Sequence, residues 1–365
     1  TIQDISEVGQ LQAPTNNDGE NIQALMTDLQ TNKNVNLTPE TVDSYQQAYD
    51  NLLAGSTQAM VLNSAYSSLL ELADAEYASK VRTLYTYKIT KEVASPQADE
   101  QTEVNKNPNV INIYISGIDT YGSISTVSRS DVNIIMTINM ETHKVLLTTT
   151  PRDAYVQIPD GGGNQYDKLT HAGIYGVETS MKTLENLYDV DIDYYARINF
   201  TSFMQLIDVL GGVEVQNDQT FTSGGYSYPA GTVSLNSEQA LRFVRERYSL
   251  QGGDVERGRN QQKVISAIIN KLASVNSITN FTTIINSLQN SVQTNMPFDT
   301  MIQLANKQLS SGGSFVVTSQ DVTGTGSTGQ LPSYAMPSAA LYMMSLDQTS
   351  VDTAKQAIKN TMEGN

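Results

Sequence analysis

The 365-residue chain contains no cysteine, no tryptophan and only two histidines, His143 and His171. Disulfides and thiolate metal sites are thereby excluded. Two histidines also leave little room for a histidine-rich zinc centre. Basic residues are scarce: 22 Lys and Arg stand against 38 Asp and Glu, for a formal net charge of −16. A chain so acidic lacks the basic face that general nucleic-acid binding needs, so no nucleic-acid partner is expected. No run of about eighteen apolar residues occurs, so no segment reads as membrane-spanning. The opening TIQDISEVGQLQ does not read as a signal peptide. The length allows one large domain or two, with a sizeable core.

Composition divides the chain near residue 107. The first part is rich in Gln, Asn, Asp and Ala, and helical spacing recurs. Ile22, Leu25, Met26 and Leu29 follow the three-and-four rhythm of one helix. Thr38-Pro39-Glu40 offers a cap, a first-turn proline and an acidic residue for a second, which Gly55 closes. A third helix is expected over 56–72 and a strand over Tyr85–Thr90. The polar stretch 94–108, with two prolines, reads as a linker. Residues 1–107 are therefore expected to form a small, mostly helical accessory domain with its linker, and residues 108–365 a second domain. There, strand signals at 110–116, 132–140, 144–149, 154–158 and 193–199 are interleaved with helical ones. The helices are expected through 167–188, over 200–210, from 235, from 254, and over 278–293, 298–309 and 351–362. Such alternation predicts an α/β sandwich.

Against the acidic background, arginine gathers in one place. Arg242, Arg245, Arg247, Arg257 and Arg259 fall within 18 positions and make up more than half of the nine arginines in the chain. The planar guanidinium donates two parallel hydrogen bonds and stays charged, which suits phosphate. The plainer reading is a helix surface paired with Glu238, Glu246 and Glu256. A second cluster lies upstream. Asp119 follows one expected strand, and Asp131 precedes the next, in Ser128-Arg129-Ser130-Asp131. Two carboxylates at neighbouring strand ends can share a hard cation such as Mg²⁺, which takes one or two carboxylates plus phosphate oxygens and water. They could equally be turn or cap residues. Arg152 sits where the third strand gives way to a loop, a common place for binding residues. His171, near an expected helix start, is either a phosphate contact or a packing residue.

Taken together, SGIDT (116–120), SRSD (128–131), TTPRD (149–153), DKLTHAG (167–173), DYYARINF (193–200), LIDVLGGVEV (206–215), LNSEQALRFVRER (235–247) and DVERGRNQQKVI (254–265) resemble the LytR–CpsA–Psr family of cell-wall assembly proteins. The N-terminal region resembles the accessory domain of the streptococcal, capsule-linked members. The resemblance implies a three-layer α-β-α sandwich with a mixed central sheet. It implies a phosphotransferase that moves a glycan from polyprenyl pyrophosphate to a peptidoglycan hydroxyl, with Mg²⁺ as cofactor and the lipid tail in an apolar channel. It also implies work at the extracellular face of the membrane, tethered by N-terminal transmembrane segments that this chain lacks.

Carried over by position, Asp119 and Asp131 match the metal-associated aspartates, and Arg129 and Arg152 match head-group arginines. Arg245 and Arg247 match a paired-arginine motif, and Asp254 and Arg257 a DxxR element. Many members have Arg-Gln where this chain has Asn260-Gln261, with Arg259 one place earlier, so Arg257, Arg259, Gln261 and Gln262 all remain pyrophosphate-binding candidates. Helix spacing puts Arg257 with Gln261 on one face and Arg259 with Gln262 on a neighbouring one. Asp119, Asp131, Arg152 and Arg247 are the residues expected to carry catalysis. For the general base, Asp119 and Asp254 are both candidates. A pyrophosphatase or a non-catalytic lipid-binding module would use the same residues.

Overall fold

The computed structural model describes residues 2–90 and 106–365. The expected linker at 94–108 lies outside them except for its last three residues. In the N-terminal region β1 (Leu11–Ala13) is followed by α1 (Gly19–Lys33), β2 (Glu40–Thr41), α2 (Tyr45–Leu53), β3 (Ala59–Met60), α3 (Ser67–Ala73) and α4 (Tyr77–Lys80). β1 is the middle of a three-stranded parallel sheet in the order β2-β1-β3. The region is thus partly helical, wrapped on a small sheet. The helix expected from Thr38-Pro39-Glu40 starts instead at Tyr45, where the Ser44 hydroxyl accepts the Gln47 N–H at 3.1 Å. Glu40 and Thr41 are taken by pairing with β1. Pairing of Ala59 and Met60 likewise shortens the third helix to α3. Residues 85–90 form no strand.

From Val110 the chain runs through β4 (Val110–Gly117), β5 (Val132–Asn139), β6 (Lys144–Thr149), β7 (Tyr155–Ile158) and β8 (Gln165–Lys168), then α5 (Leu169–Ala172) and α6 (Val177–Tyr188). Next come β9 (Tyr194–Ile198), α7 (Phe200–Val209), β10 (Val213–Asn217), β11 (Phe221–Ser223), β12 (Tyr226–Tyr228) and β13 (Gly231–Leu235). The chain continues through α8 (Ser237–Arg245), α9 (Asp254–Ala273), α10 (Ile278–Leu288), β14 (Gln293–Thr294), α11 (Phe298–Ser311), β15 (Val316–Asp321), β16 (Gly324–Thr328), β17 (Tyr342–Leu346) and α12 (Gln348–Glu363). The central sheet has six strands, β14-β9-β4-β5-β6-β15, and is mixed: β4/β9 and β6/β15 are parallel, the other pairs antiparallel.

β4 is buried almost throughout, because strands flank it and both sheet faces are covered; hence its unbroken apolar run. On one face Tyr114, Ile135 and Leu146 pack against Leu184 and Tyr188 of α6 and Val351, Ala354 and Ile358 of α12. On the other, Ile134, Val145 and Leu147 meet Ile265 and Ile269 of α9. This is the three-layer sandwich. A third cluster joins α7, α8 and α9 to β10–β13 around Phe221, Tyr228 and Phe243. The Gly-rich stretch 217–233 folds there as the β11/β12 hairpin followed by β13.

Leu147 is fully buried, so Leu147→Ala is expected to cost ~2–5 kcal/mol in urea unfolding. Leu72, 56% exposed, should change stability by about 0.5 kcal/mol or less when made Ala.

Candidate functional site

The antiparallel ladders build the site. Gly117 at the end of β4 pairs with Val132 at the start of β5, and Ile134 pairs with Thr149 at the end of β6. One end of these three strands therefore receives Asp119, Asp131 and Arg152 together. Gly117 is needed for this approach, since a Cβ there would lie 2.8 Å from Cβ of Val132. The Asp131 N–H donates to Gly117 O at 2.7 Å, and the Asp119 N–H to Oδ2 of Asp131 at 3.4 Å. Arg152 donates to Oδ1 of Asp131 at 2.7 Å, and the Thr170 hydroxyl donates to the same oxygen at 3.5 Å.

Asp119 is open to water yet crowded by side chains. That partial desolvation, and then the Asp131 charge, raise its pKa, while Arg257, Arg152 and Arg245 pull it down. Two carboxylates and three arginines thus share one small volume. Arg245, the last residue of α8, lies over the Phe200 ring at 4.2 Å. Arg247 stacks on Tyr248 at 4.5 Å; the Tyr248 hydroxyl, and more weakly the Asp254 and Asp153 charges, raise its pKa further. Arg257 pairs with Asp254 at 2.6 Å one turn away on α9. Arg129 is half-buried, with a buried Nε that has no partner among the described residues.

Of the remaining candidates, Gln262 and Arg259 point elsewhere. Gln262 is buried, and its amide donates to Thr149 and Asp321, each at 2.8 Å, and to Gln320 O. Arg259 pairs with Glu256 and lines a groove of about 690 Å³ with Glu214, Lys263, Asn270 and Asp321. Gln261 donates to Val244 O at 3.3 Å, joining α9 to α8 beside the arginines. His171 is buried against Asp167 at 3.0 Å and is a packing residue. Burial opposes ionisation of Asp167, but His171, the Ala335 N–H and the Ser333 hydroxyl outweigh it and hold its pKa down.

Sequence reasoning did not single out the groups that hold the site in shape. Arg197, buried in β9, donates to the carbonyls of Ile124 (2.6 Å) and Thr126 and so fastens the loop between the two aspartates. Behind that loop, Ser130 meets Ser116 at 2.8 Å and Tyr114 at 3.0 Å, and Tyr114 donates to Asn133 at 2.6 Å. A buried arginine in an extended run with no carboxylate partner was the available signal for Arg197. The serines and Tyr114 left none.

The donor chemistry fits a hard divalent cation. Asp119 and Asp131 offer only oxygens, and a cation between them would relieve the repulsion that raises the Asp119 pKa. No cluster of three or more acidic or histidine ligands occurs among the described residues, so further ligands would come from phosphate or water.

A raised folded-state pKa means that the folded protein binds the Asp119 proton more tightly than the unfolded chain does. Stability is therefore lost as pH rises from the ordinary carboxylate value to the raised one. Asp119→Asn is expected to raise Tm at neutral pH, and the gain should vanish below the ordinary Asp range, where both states are protonated. Thermal unfolding across pH reads this directly.

Comparison with known proteins gives the family. Residues 78–360 match the family model described as the LytR_cpsA_psr family. Residues 1–62 match a model described as DNA polymerase processivity factor. That stretch carries one basic residue, Lys33, against eight carboxylates, which gives it no cationic face for a phosphate backbone. A polyisoprenyl-teichoic acid–peptidoglycan teichoic acid transferase, TagU, of Oceanobacillus iheyensis is 36% identical over 240 residues, 63% of this chain and 73% of the relative. The Enterococcus faecalis TagU is 36% identical over 234 residues, covering 63% and 76%. Among solved structures, Bacillus subtilis TagU aligns with a TM-score of 0.54 at 29% identity, over 70% of this chain and 97% of that one. TagT bound to LI-WTA aligns at 0.55 and 29%, over 70% and 93%. A Streptococcus agalactiae protein aligns at 0.59 and 26%, over 70% and 88%. With its family model matched over residues 78–360, this chain belongs to the LytR–CpsA–Psr family.

Proposed function

We propose that the chain transfers a glycan from a polyprenyl pyrophosphate carrier to a hydroxyl of peptidoglycan, at the extracellular face of the membrane. The observation that carries the reading is the Asp119–Asp131 pair ringed by Arg152, Arg245 and Arg257. Arginines alone would serve to capture an anion. Paired carboxylates beside them make sense when a cation joins the phosphate.

In the step, the acceptor hydroxyl oxygen attacks the phosphorus next to the glycan. The bond from that phosphorus to the bridging oxygen breaks, and polyprenyl phosphate leaves. The product is a phosphodiester between acceptor and glycan, and the hydroxyl proton passes to solvent, to which Asp119 is open. Arg152, Arg245, Arg247 and Arg257 neutralise the pyrophosphate and stabilise charge on the leaving phosphate. Asp119 and Asp131 would hold Mg²⁺, which would supply Lewis-acid neutralisation of the phosphate oxygens.

The lipid tail is taken to lie against α10 and α11. Their apolar residues Phe281, Ile284, Ile285, Met301, Ile302 and Leu304 are only half-buried, and each helix buries a single residue. A tail against them would gain ~0.8 kcal/mol per buried CH₂ before ordering costs. Among the described residues no helix is long and apolar enough to cross a membrane, so anchoring through a segment N-terminal to this sequence is part of the proposal. The N-terminal domain's resemblance to that of capsule-linked members favours a capsular polysaccharide as the glycan.

Arg152→Ala is expected to lower transfer by ~10²–10³-fold, about 2.7–4 kcal/mol, as for loss of one transition-state donor. Asp131→Ala should retain binding of polyprenyl pyrophosphate while losing turnover; equal turnover would sink the metal role. Chelation of divalent ions should abolish transfer, and added Mg²⁺ restore it. Capsular and teichoic acid donors compared in one assay decide the glycan class.

A further inference from the structure

The N-terminal domain does not merely precede the second domain. It shares a core with it. Its buried residues, among them Leu11, Ile22, Tyr45, Tyr66 and Leu69, form one apolar cluster with Ile174, Ala335 and Met336 of the second domain, and Tyr175 packs on the same cluster. The Tyr66 ring meets the Tyr175 ring edge-on at 6.3 Å, and Tyr45 backs Tyr66 at 4.6 Å.

The segment that receives this contact is the one that shapes the anion site. Segment 167–175 has two sides. On one side Ile174 and Tyr175 meet the N-terminal domain, and Asp167 accepts the Ala335 N–H (2.8 Å) and the Ser333 hydroxyl (2.7 Å) from the loop that also brings Met336 to the shared core. On the other side the backbone bearing Arg129 and Asp131 is pressed against Gly173. A Cβ at Gly173 would lie 2.5 Å from Ser128 O and 2.6 Å from Ser130 N. The Ser130 N–H donates to Thr170 O at 3.2 Å, the Thr170 N–H to Arg152 O at 2.9 Å, and the Thr170 hydroxyl reaches Asp131. A shift of this segment by a fraction of an ångström must move the backbone carrying Arg129 and Asp131, because close-packed contacts leave no slack.

We propose that the N-terminal domain is a positioning element for the anion site, acting through Tyr66, Ile174 and Tyr175 on segment 167–175 and from there on the loop of Arg129 and Asp131. Its consequence for pyrophosphate binding rests on the reading of that site given above. Tyr66 and Tyr175 are positioning residues and touch no substrate.

The test uses the full chain and two readouts: hydrogen exchange without ligand, and binding of geranylgeranyl pyrophosphate in detergent with Mg²⁺. Tyr66→Ala should speed exchange at 128–131 and 167–175 and weaken binding by roughly 3- to 30-fold, the range of coupling changes seen for residues between linked sites. Tyr66→Phe keeps the ring and should restore both. Leu70→Ala is the control. Leu70 is buried with Tyr49 and Tyr77 in a cluster made only of N-terminal residues, so it should loosen that domain while leaving exchange at 128–131 unchanged. Should Tyr66→Ala unfold the N-terminal domain outright, Met336→Ala, on the opposite side of the contact, carries the comparison. The proposal is overturned when Tyr66→Ala or Met336→Ala leaves exchange at 128–131 and 167–175 at the wild-type rate, or when Leu70→Ala changes it as much. A wild-type chain that binds no geranylgeranyl pyrophosphate defeats the proposed function, and the exchange comparison still decides the coupling.

Discussion

Two carboxylates that repel each other are held side by side at the ends of neighbouring strands, and the rest of the site answers that constraint. The antiparallel ladder between β4 and β5 leaves Asp119 and Asp131 no freedom to separate, because Gly117 and Val132 are paired partners. Arg152 offsets part of the repulsion from the third strand, at 2.7 Å from Asp131. Arg245 and Arg257 add to it from two helices on the far side of the sequence. The Arg152–Asp131 pair is largely shielded from water, and such a pair is weak evidence for stability because desolvation offsets the Coulomb gain. The raised pKa of Asp119 is a cost that the fold carries at neutral pH, and residues that carry such costs cluster at functional sites.

An acidic chain that must hold an anion also has to keep its arginines from collapsing onto its own carboxylates. Aromatic rings do part of this. Arg245 rests on Phe200 and Arg247 on Tyr248, so each guanidinium is held by its flat face and keeps its edge N–H groups for hydrogen bonds. Arg259, which lacks a ring, pairs with Glu256 and turns to a different groove. Buried polar groups behind the loop do the rest. Arg197 caps its carbonyls, and the Ser116–Ser130–Tyr114–Asn133 network fixes where Asp131 leaves the sheet. Such networks are costly when half-satisfied, which makes them good at selecting one backbone geometry.

Much of this was legible in the residues. The apolar runs of Val110–Gly117 and after Asp131 placed the two aspartates at neighbouring strand ends, and helical signals over 200–210, from 235 and from 254 marked α7, α8 and α9. The N-terminal sheet was not legible, because strands of two or three residues show no period and owe their existence to tertiary pairing. The same holds for the β11/β12 hairpin, hidden among glycines. Helix spacing separated Arg257 and Gln261 from Arg259 and Gln262. It could not say which pair faced the aspartates, since that depends on how α9 sits on the sheet, and the sheet claims Gln262 through Thr149 and Asp321.

Under the proposed function the ligand is an amphiphile and not a soluble anion. A free pyrophosphate would satisfy the arginines alone, of which Arg245 and Arg247 are exposed to competing water and salt. A polyprenyl pyrophosphate would satisfy the arginines and also cover the half-buried faces of α10 and α11, where Phe281, Ile284, Ile285 and Met301 lack a full set of neighbours. At ~25 cal/mol per Å² the apolar contact grows with every isoprene unit, while the ionic contact stays fixed. Affinity should therefore rise with lipid length at constant head group, and fall with added salt by the same factor for short and long lipids. A soluble-anion site would show the salt dependence without the length dependence, so the two slopes measured together separate head-group recognition from tail recognition in one series.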